Sequence, residues 1–449
     1  MLFSNRQLFT LLWPLIIEQG LVVLVGMADT VMVSSVGEAA ISGVSLVDMI
    51  NMLVFTVFAA LATGGSVVTS QRLGAQDREG ACRSAGQLVG LSALFGVGLT
   101  VLCLLGSRAL LRLLFGSIAD DVMAAALRYF VITAFSYPFL ALYNAGAAIF
   151  RSTGNSAVSM RVSVLVNCLN FFGNALCIFV LRMGVAGVAV PTLVSRAVGA
   201  VVILALAAGQ HAPLPLRRDT VLRWDNAMVR NILRIGIPSA LENSLFQLGR
   251  VLVVSMISLF GTVHISANAV ANNLDGVGCI IGNAMQLAMI AVIGRCVGAQ
   301  DMQQVVYYTK KLLKWDYLAQ GASNVLILIF LNQLLNLYTL TPETRQLAYV
   351  LVAIHAGVAV LLWPVGFVLP NALRAANDVR FTMVSSVLSM LVWRMGFSYL
   401  LCVQMGWGAV GVWIAMLVDW VCRTICFVGR FVSGGWRAKA MQTPAKPAT

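Results

Sequence analysis

Residues 14–42 read PLIIEQGLVVLVGMADTVMVSSVGEAAIS, and residues 238–266 read PSALENSLFQLGRVLVVSMISLFGTVHIS. The two stretches share, in register, the initial proline, the glutamate that follows in the next helical turn and the final Ile-Ser. Over residues 10–77, 15 of the 68 positions recur at this one constant offset without a gap. The register continues through a Gly-Ala-Gln-Asp motif at 74–77, which is repeated at 298–301. The chain is therefore an internal duplication.

The duplicated unit has the composition of a membrane protein. Hydrophobic residues make up 59% of the chain and charged residues only 10%, with a mean hydropathy of +0.88. Soluble domains carry about 25% charged residues. A membrane-spanning helix needs about 20 apolar residues. We predict twelve such helices, in two sets of six, at residues 8–33, 41–70, 86–106, 123–149, 157–181 and 185–209, and at 232–259, 265–294, 317–337, 346–372, 382–403 and 408–429.

The predicted fold is an all-α integral membrane protein. Because six spans return the chain to its starting side, the two repeats insert in the same direction, as in transporters built from parallel repeats. The longest polar connection contains two prolines and a basic cluster, and it marks the lobe boundary. The predicted organisation is an N-terminal lobe at 1–209, a cytoplasmic linker at 210–230, a C-terminal lobe at 231–432 and a cytoplasmic tail at 433–449.

The basic residues predict the orientation in the membrane. The N-terminus, the C-terminal tail and the loops on the same side hold 21 of the 30 Lys and Arg residues, and the opposite loops hold five. The positive-inside rule then places both termini in the cytoplasm of a multi-pass protein of the plasma or inner membrane. The net charge of +13 is explained by the anionic cytoplasmic leaflet. We therefore expect a lipid bilayer as the partner and no nucleic acid.

Composition and spacing offer little support for catalysis. The nine cysteines form no C-x-x-C pair, and seven of them lie within predicted spans. The sequence contains no nucleophile elbow and no phosphate-binding loop. We expect neither an enzyme, nor a resident metal, nor a cofactor.

Acidic side chains within the predicted spans are the strongest functional signal, because ionisable groups in a membrane usually face a cavity or a transport path. Glu18 and Asp29 are eleven residues apart, which is three helical turns and nearly the same face. Glu242 repeats Glu18 in the second half, so we expect the two glutamates to face a shared central cavity. Asp29 aligns with Val253 and has no counterpart. Ion coupling is therefore predicted in the first lobe.

A second polar pair recurs with its members exchanged. The first copy has Asp48 followed by Asn51, and the second has Asn272 followed by Asp275, each pair on one helical face. Each pair could be a structural hydrogen bond between helices. Alternatively, the four residues could line the substrate cavity together with Glu18 and Glu242. The two interpretations are compatible.

Several motifs resemble those of a known transporter family. The first repeat contains Pro-x3-Glu, GMADTVM at 26–32, LATGG at 61–65 and GAQD at 74–77. The segment Asn170-x3-Asn174, followed by GVAGVA at 184–189 and Thr192, is similar to that family's fifth and sixth helices. Over nearly its whole length, the chain resembles the multidrug and toxic compound extrusion (MATE) transporters.

The resemblance implies a V-shaped pair of six-helix lobes around a central cleft. It also implies alternating-access export of amphiphilic, cationic drugs or metabolites in exchange for inward H+ or Na+. In such transporters the coupling cation binds in the first lobe, here at Asp29, Asn170, Asn174 and Thr192. Many relatives carry an aspartate where this chain has Asn174. We expect a monomer with small-molecule substrates and no metal other than Na+ at Asp29.

Two other functions are alternatives. A flippase for lipid-linked sugars or polysaccharides, from the same wider superfamily, would have a basic cavity and additional spans, whereas the acidic stripe in the first lobe favours cationic cargo. An integral-membrane enzyme would need catalytic groups converging at a membrane face, and no such cluster is evident in the sequence.

Overall fold

The protein is entirely helical in the part of the chain that the computed structural model describes, residues 2–116, 119–210 and 212–441. Its first half contains α1 (Asn5–Ser34), α2 (Glu38–Gly74), α3 (Arg78–Phe115), α4 (Asp120–Ala134), α5 (Tyr137–Ser152), α6 (Ser156–Ala175) and α7 (Ala186–Ala208). A short helix, α8 (Arg218–Leu222), lies in the connection between the halves. The second half contains α9 (Asn226–Ser258), α10 (Thr262–Gly278), α11 (Ile280–Gly298), α12 (Met302–Ile329), α13 (Leu331–Leu335), α14 (Pro342–Trp363), α15 (Leu369–Ala375), α16 (Val379–Ser389), α17 (Gly408–Ser433) and α18 (Arg437–Ala440).

Short π-helical segments extend several of these helices. Leu176–Val180 follows α6, Pro364–Val368 joins α14 to α15, and Met390–Gly396 and Tyr399–Gln404 follow α16. Each widens the helix locally and changes the direction in which later side chains point. Several of the predicted spans therefore consist of more than one helical segment.

Length and apolar composition identify ten of the described helical segments as able to cross a membrane, or eleven if α4 and α5, bent by 45°, form one span. The predicted span 265–294 breaks at Cys279, but α11 by itself still qualifies as a span. The prediction of twelve differs at two other places. The predicted span 123–149 is divided between α4 and α5, which count as a span only when they are taken together. The predicted span 317–337 falls on α12, whose 28 residues cover about 42 Å at 1.5 Å per residue but include several polar side chains.

The repeated turns follow from repeated residues. Gly37 has φ +128° before α2, and Gly261, its equivalent in the second copy, has φ +87° before α10. Side chains with a Cβ rarely adopt these conformations, whereas glycine does so without steric cost. The duplicated glycines thus set the turn after the first helix of each half.

The Gly-Ala-Gln-Asp motif forms a second repeated turn. Gln76 and Gln300 adopt left-handed conformations, with φ 61° and 55°. Asp77 then caps α3 by accepting a hydrogen bond from the Gly80 N–H. Its repeat at 301 caps α12 in the same way, with Gln304 as donor. The motif is therefore a helix-start signal that both copies retain.

The described chain divides into two compact units. The N-terminal unit contains residues 5–73 and 77–240, and the C-terminal unit contains residues 2–4, 74–76 and 241–441. The division falls within α9, whereas the sequence predicted a linker at 210–230 between lobes at 1–209 and 231–432. Residues 433–441 of the predicted tail include the short helix α18, and residues 442–449 lie outside the described part. The predicted lobe boundaries remain a prediction.

Large apolar side chains cover much of the helix surfaces. On α3, Leu102, Leu105 and Leu113 are 68%, 85% and 82% exposed. Within the N-terminal unit, Val47, Phe130 and other residues form a buried core. A soluble protein rarely exposes a large apolar patch. The exposed leucines fit a helix that faces lipid.

Candidate coupling and substrate site

Helices α1, α6 and α7 bring together the four residues predicted to bind the coupling cation. Asn170 and Asn174 are four residues apart, so they lie on the same face of α6. Asn170 is 7% exposed and Asn174 is fully buried, whereas Asp29 is half-buried. The packing of α6 against both α1 and α7 places this face between Asp29 and Thr192.

Hydrogen bonds join the four side chains into one cluster. The Asn174 amide donates to Asp29 Oδ1 at 2.9 Å and to Asn170 Oδ1 at 3.3 Å. Exchanging the nitrogen and oxygen of the Asn170 amide lets its nitrogen donate to both Asp29 oxygens, at 3.2 and 3.3 Å, while its oxygen accepts from Thr192 Oγ1 at 3.0 Å. In either orientation Asn170 contacts Thr192. The Asp29 carboxylate is thus held by amide donors.

The Asp29 cluster opens into a cavity of about 340 Å³ within the N-terminal unit. Besides Asp29, Asn170 and Thr192, its polar lining residues are Ser45, Asp48, Tyr129, Asn167, Ser195 and Arg196. Its remaining walls are mainly valines from several helices. The cavity therefore combines apolar walls with two carboxylates and one guanidinium.

Asp48 and Asn51 belong to a hydrogen-bonded network at this cavity. Asp48 Oδ1 accepts from the Asn51 amide and from Tyr129 Oη, both at 3.1 Å. Asn51 Oδ1 accepts from Tyr137 Oη at 2.9 Å. The expected pairing of Asp48 with Asn51 is present, together with two tyrosines that no sequence pattern identified. Asp48 itself is exposed and lines the cavity.

Arg196 supplies the positive charge of the cavity. Its Nη1 donates to Ser136 Oγ at 2.7 Å. Ser136 is fully buried at the bend between α4 and α5. The guanidinium therefore ties α7 to this bend while it faces the two carboxylates of the cavity.

Glu18 lies in a buried ion pair. It is 5% exposed and accepts from Arg151 Nη1 at 3.2 Å and from Ser159 Oγ at 2.9 Å. Arg151 closes α5 and is 9% exposed. Glu18 was predicted to line the substrate cavity, but it is not among the residues that line the described cavity. The pair connects α1 with α5 and α6.

Glu242 repeats this arrangement in the C-terminal unit. It is 7% exposed, and its Oε2 lies 2.7 Å from Arg374 Nη2. Arg374 also donates to Asn371 Oδ1 at 2.8 Å. Arg151 and Arg374 are separated by almost the offset of the duplication. The sequence analysis did not predict these two ion pairs, although the repeated spacing of a glutamate and an arginine was a signal that could have identified them.

The second polar pair does not repeat the first. Asn272 donates to its own helix, at Asn268 O, over 2.7 Å. Asp275 instead lies 2.9 Å from His355 Nε2 and accepts from Cys279 Sγ at 3.1 Å. Among the described hydrogen bonds none joins Asn272 to Asp275. The contact of Asp275 with His355 joins two helices, as in the structural interpretation of this pair, and its role in a substrate cavity stays a prediction. No sequence pattern identified His355 as a partner.

A larger cavity, of about 1140 Å³, lies beside the linker. Arg78, Arg83, Arg217 and Arg223 contribute to its walls. All four are exposed or half-buried, and the cavity is distant in sequence from the acidic residues of the spans. We favour the smaller cavity as the functional one because it contains a buried polar cluster. The described residues include no group of three or more His, Cys, Asp or Glu side chains able to hold a metal ion.

Known proteins resemble the whole chain in sequence. The transporter YisQ of Bacillus subtilis is 28% identical over 443 residues, which cover 97% of this chain and 95% of YisQ. The probable multidrug resistance protein NorM of Thermotoga maritima is 26% identical over 98% of this chain and 94% of its own length.

Solved structures share the fold. The outward-facing structure of a multidrug resistance MATE transporter matches with a TM-score of 0.89 and 22% identity, over 98% of this chain and 97% of that one. A MATE structure in the bent conformation matches with a TM-score of 0.88 over the same shares.

The MatE family model matches residues 14–176 and again 238–400, once in each half of the duplication. These two segments cover most of the chain and begin at the two prolines with which the repeats begin. Members of this family are multi-pass membrane transporters, not enzymes. The chain therefore belongs to the MatE family of membrane transporters.

Proposed function

We propose that this transporter exports amphiphilic cationic compounds in exchange for an inward-moving proton, and that Asp29 carries the proton. The observation that supports this most is the position of Asp29. Its carboxylate accepts a hydrogen bond from the buried Asn174 amide, and it lies at the wall of a cavity large enough for part of an organic molecule. A carboxylate that serves both a proton and a cationic substrate can bind only one of them at a time.

The orientation of the Asn174 amide argues against Na+ at Asp29. Na+ requires oxygen ligands, whereas the Asn174 amide turns an N–H towards the carboxylate. Asn174 also stands where many relatives have a second acid, so the site contains one carboxylate. One carboxylate is sufficient for one proton.

Cationic cargo is supported by the balance of charge in the cavity. Asp29 and Asp48 contribute two negative charges, and Arg196 contributes one positive charge. The valine walls provide apolar surface for the rest of an amphiphilic molecule. A flippase for anionic lipid-linked sugars would need the opposite balance. We therefore prefer drug or metabolite export to the flippase function.

The exchange requires that the two ligands favour different conformations. A ligand shifts a conformational equilibrium only by its difference in affinity for the two states. Protonation of Asp29 removes the charge that holds the Asn174 amide and attracts the substrate. In our proposal the protonated and substrate-bound forms therefore face opposite sides of the membrane. We further propose that the transporter is a monomer of the plasma or inner membrane with both termini in the cytoplasm.

Transport in everted vesicles tests the role of Asp29. We expect Asp29→Asn to lower the accumulation of a cationic dye under an imposed pH gradient by about tenfold or more, the range of typical coupling energies. The matched control is Asp120→Asn, at the exposed start of α4, which should transport like the parent. Equal transport by the Asp29 variant and the parent would overturn the proposal.

Na+ is the second candidate, because Asn174 Oδ1 is buried and has no hydrogen-bond partner among the described residues. This oxygen could ligate a cation. An imposed Na+ gradient without a pH gradient separates the two ions. Dye accumulation driven by Na+ alone, and lost in Asn174→Leu, would assign the coupling to Na+ instead of the proton.

A further inference from the structure

A buried polar stripe runs along α12 in the C-terminal unit. Asp316, Gln320 and Asn324 are spaced four residues apart, so they lie on one face of the helix. Asp316 and Gln320 are 0% exposed and Asn324 is 1% exposed. This stripe contributes to the polar composition of α12. It lies in a different unit from Asp29, and the function proposed above assigns none of its residues a role.

The three side chains differ in their hydrogen bonds. The Asn324 amide donates to Gly278 O at 3.3 Å and to Gln320 O at 3.0 Å. In contrast, neither carboxylate oxygen of Asp316 has a partner among the described residues, and neither do the amide oxygen and nitrogen of Gln320. Buried polar side chains in native proteins are usually bonded. Two adjacent, fully buried and unpartnered groups therefore point to a missing ligand.

The surrounding helices bring few charges to Asp316. Helices α11 and α14 pack along α12, and α10, α15 and the π-helical segment after α14 contact it less extensively. The titratable and charged groups on these elements are His264 at the start of α10, Asp275 and Cys279 at and just after its end, Arg295 and Cys296 at the end of α11, Glu343, Arg345, Tyr349 and His355 on α14, and Arg374 on α15. On α12 itself the nearest are Lys314, which is exposed, and Tyr317, which donates to Leu361 O.

The basic groups of this set have other partners or lie at helix ends. His355 contacts Asp275, and Arg374 contacts Glu242. No described salt bridge reaches Asp316. An ionised carboxylate without a partner costs several kcal/mol in a protein interior. A bound proton removes this cost, and Gln320 is the next polar side chain on the same face of α12, one turn away.

The packing around Gln320 leaves little space. A Cβ added at Gly282 of α11 would collide with Gln320 Oε1 and with the Trp363 ring. The absence of a side chain at Gly282 therefore makes room for the amide against α11. A space this tight accommodates a proton more readily than a hydrated metal ion.

We propose that Asp316 and Gln320 form a proton-binding site in the C-terminal unit, separate from the Asp29 cluster, and that Asp316 takes up and releases its proton during the transport cycle. The involvement in transport rests on the function proposed above. The protonation of Asp316 does not.

Infrared spectroscopy of the purified full-length protein tests the protonation directly. A protonated carboxylic acid has a carbonyl-stretch band that a carboxylate lacks. We expect the parent to show such a band at neutral pH, Asp316→Asn to lose it and Asp120→Asn to keep it. We also expect the band to disappear at alkaline pH. Gln320→Leu, which preserves the carboxyl group, should shift the band because a polar group one turn away from that carboxyl is removed.

Two spectroscopic results would overturn the proposal. One is a spectrum of Asp316→Asn that equals the parent spectrum at neutral pH. The other is a band that persists unchanged from acidic to alkaline pH, because that carboxyl would not release its proton. If Asp316→Asn fails to fold, the Gln320→Leu variant decides instead, because an unshifted carbonyl-stretch band in that variant would also overturn the proposal.

Transport separates this proposal from the function of Asp29. In vesicles with an imposed pH gradient, Asp316→Asn should lower dye accumulation by about fivefold or more, as expected for loss of a coupled site. Equal transport by Asp316→Asn and the parent would refute the role of Asp316 in the cycle. Equal transport by Asp29→Asn and the parent would refute the Asp29 proposal. The infrared result would still decide whether Asp316 is protonated.

Discussion

The buried pair Glu18–Arg151 should stabilise the N-terminal unit through its charges. The two groups are 5% and 9% exposed, and their nearest atoms are 3.2 Å apart. At an effective dielectric constant of about 20, this separation corresponds to an attraction of about 5 kcal/mol. Desolvation offsets much of this attraction, so the net value of the pair is small. Removing one partner is different, because the other charge remains buried without compensation.

We therefore expect Glu18→Gln to lower the free energy of unfolding by about 3 kcal/mol, the lower end of the range for a broken buried pair. Arg151→Met should cost about the same, since it leaves the carboxylate with only Ser159. The double variant removes both charges, so it should cost less than either single substitution, and far less than the roughly 6 kcal/mol that independent effects would give. The coupling energy of the cycle is then larger than about 3 kcal/mol.

Unfolding in mixed detergent micelles, followed by tryptophan fluorescence, measures these differences. The matched control is Glu79→Gln, which breaks the exposed pair with Arg83 on α3 and should cost less than about 1 kcal/mol. Two results would refute the stabilisation by buried charges. One is that Glu18→Gln lowers the free energy of unfolding no more than Glu79→Gln does. The other is that the losses caused by Glu18→Gln and Arg151→Met simply add in the double variant.

Three further predictions concern the repeated turns and the cavity. Asp301→Ala should lower stability by about 1 kcal/mol, as for loss of a helix cap, when measured by unfolding at neutral pH. Hydrogen bonds from Gln304, first from its backbone N–H and then from its side chain, lower the pKa of Asp301 below its ordinary value. The stabilisation by Asp301 should therefore be present above the pKa of the unfolded state and be lost as the pH falls through the lower, folded value. Gly261→Ala should lower stability by about 1 to 2 kcal/mol, because alanine is strained at φ +87°. Tyr129→Phe should remove the bond to Asp48 and cost about 1 kcal/mol.

Matched variants provide the controls for these three predictions. Asp120→Ala should leave stability nearly unchanged, because this exposed residue is not the cap of its helix. Gly98→Ala on α3 meets no atom within 4 Å and should be neutral or slightly stabilising. A pH-independent difference between Asp301→Ala and the parent would contradict the role of Asp301 as a cap.

The ends of the helices could be read from the sequence because their causes are local. Asp77 and its repeat act on backbone groups three residues away, and Gly37 acts through its own φ angle. The polar α12 was the hardest element to interpret. Its predicted span began at residue 317, whereas the helix begins at Met302, because Lys314 and Asp316 reduce the apolar signal of a helix that packs on α11 and α14.

The polar site was only partly predictable. Asp29, Asn170, Asn174 and Thr192 were grouped through their resemblance to a family, and the structure places them in contact, while their role in coupling stays a prediction. Asp275 was predicted either to hydrogen-bond a neighbouring helix or to line the substrate cavity. It contacts His355 of α14, a partner that the sequence did not identify, because packing brings α10 and α14 together.

The sequence by itself determined the membrane class, the duplication and the repeated turns, because these depend on composition, register and short-range backbone geometry. The tertiary structure decided which buried charges have partners. Glu18 and Glu242 were predicted to face a central cavity, which stays a prediction, and the structure shows that each lies beside an arginine that is distant in the sequence. Asp316 has no such partner among the described residues. Whether a buried carboxylate is paired depends on which side chains neighbouring helices place within hydrogen-bond distance, and helix packing alone fixes that distance.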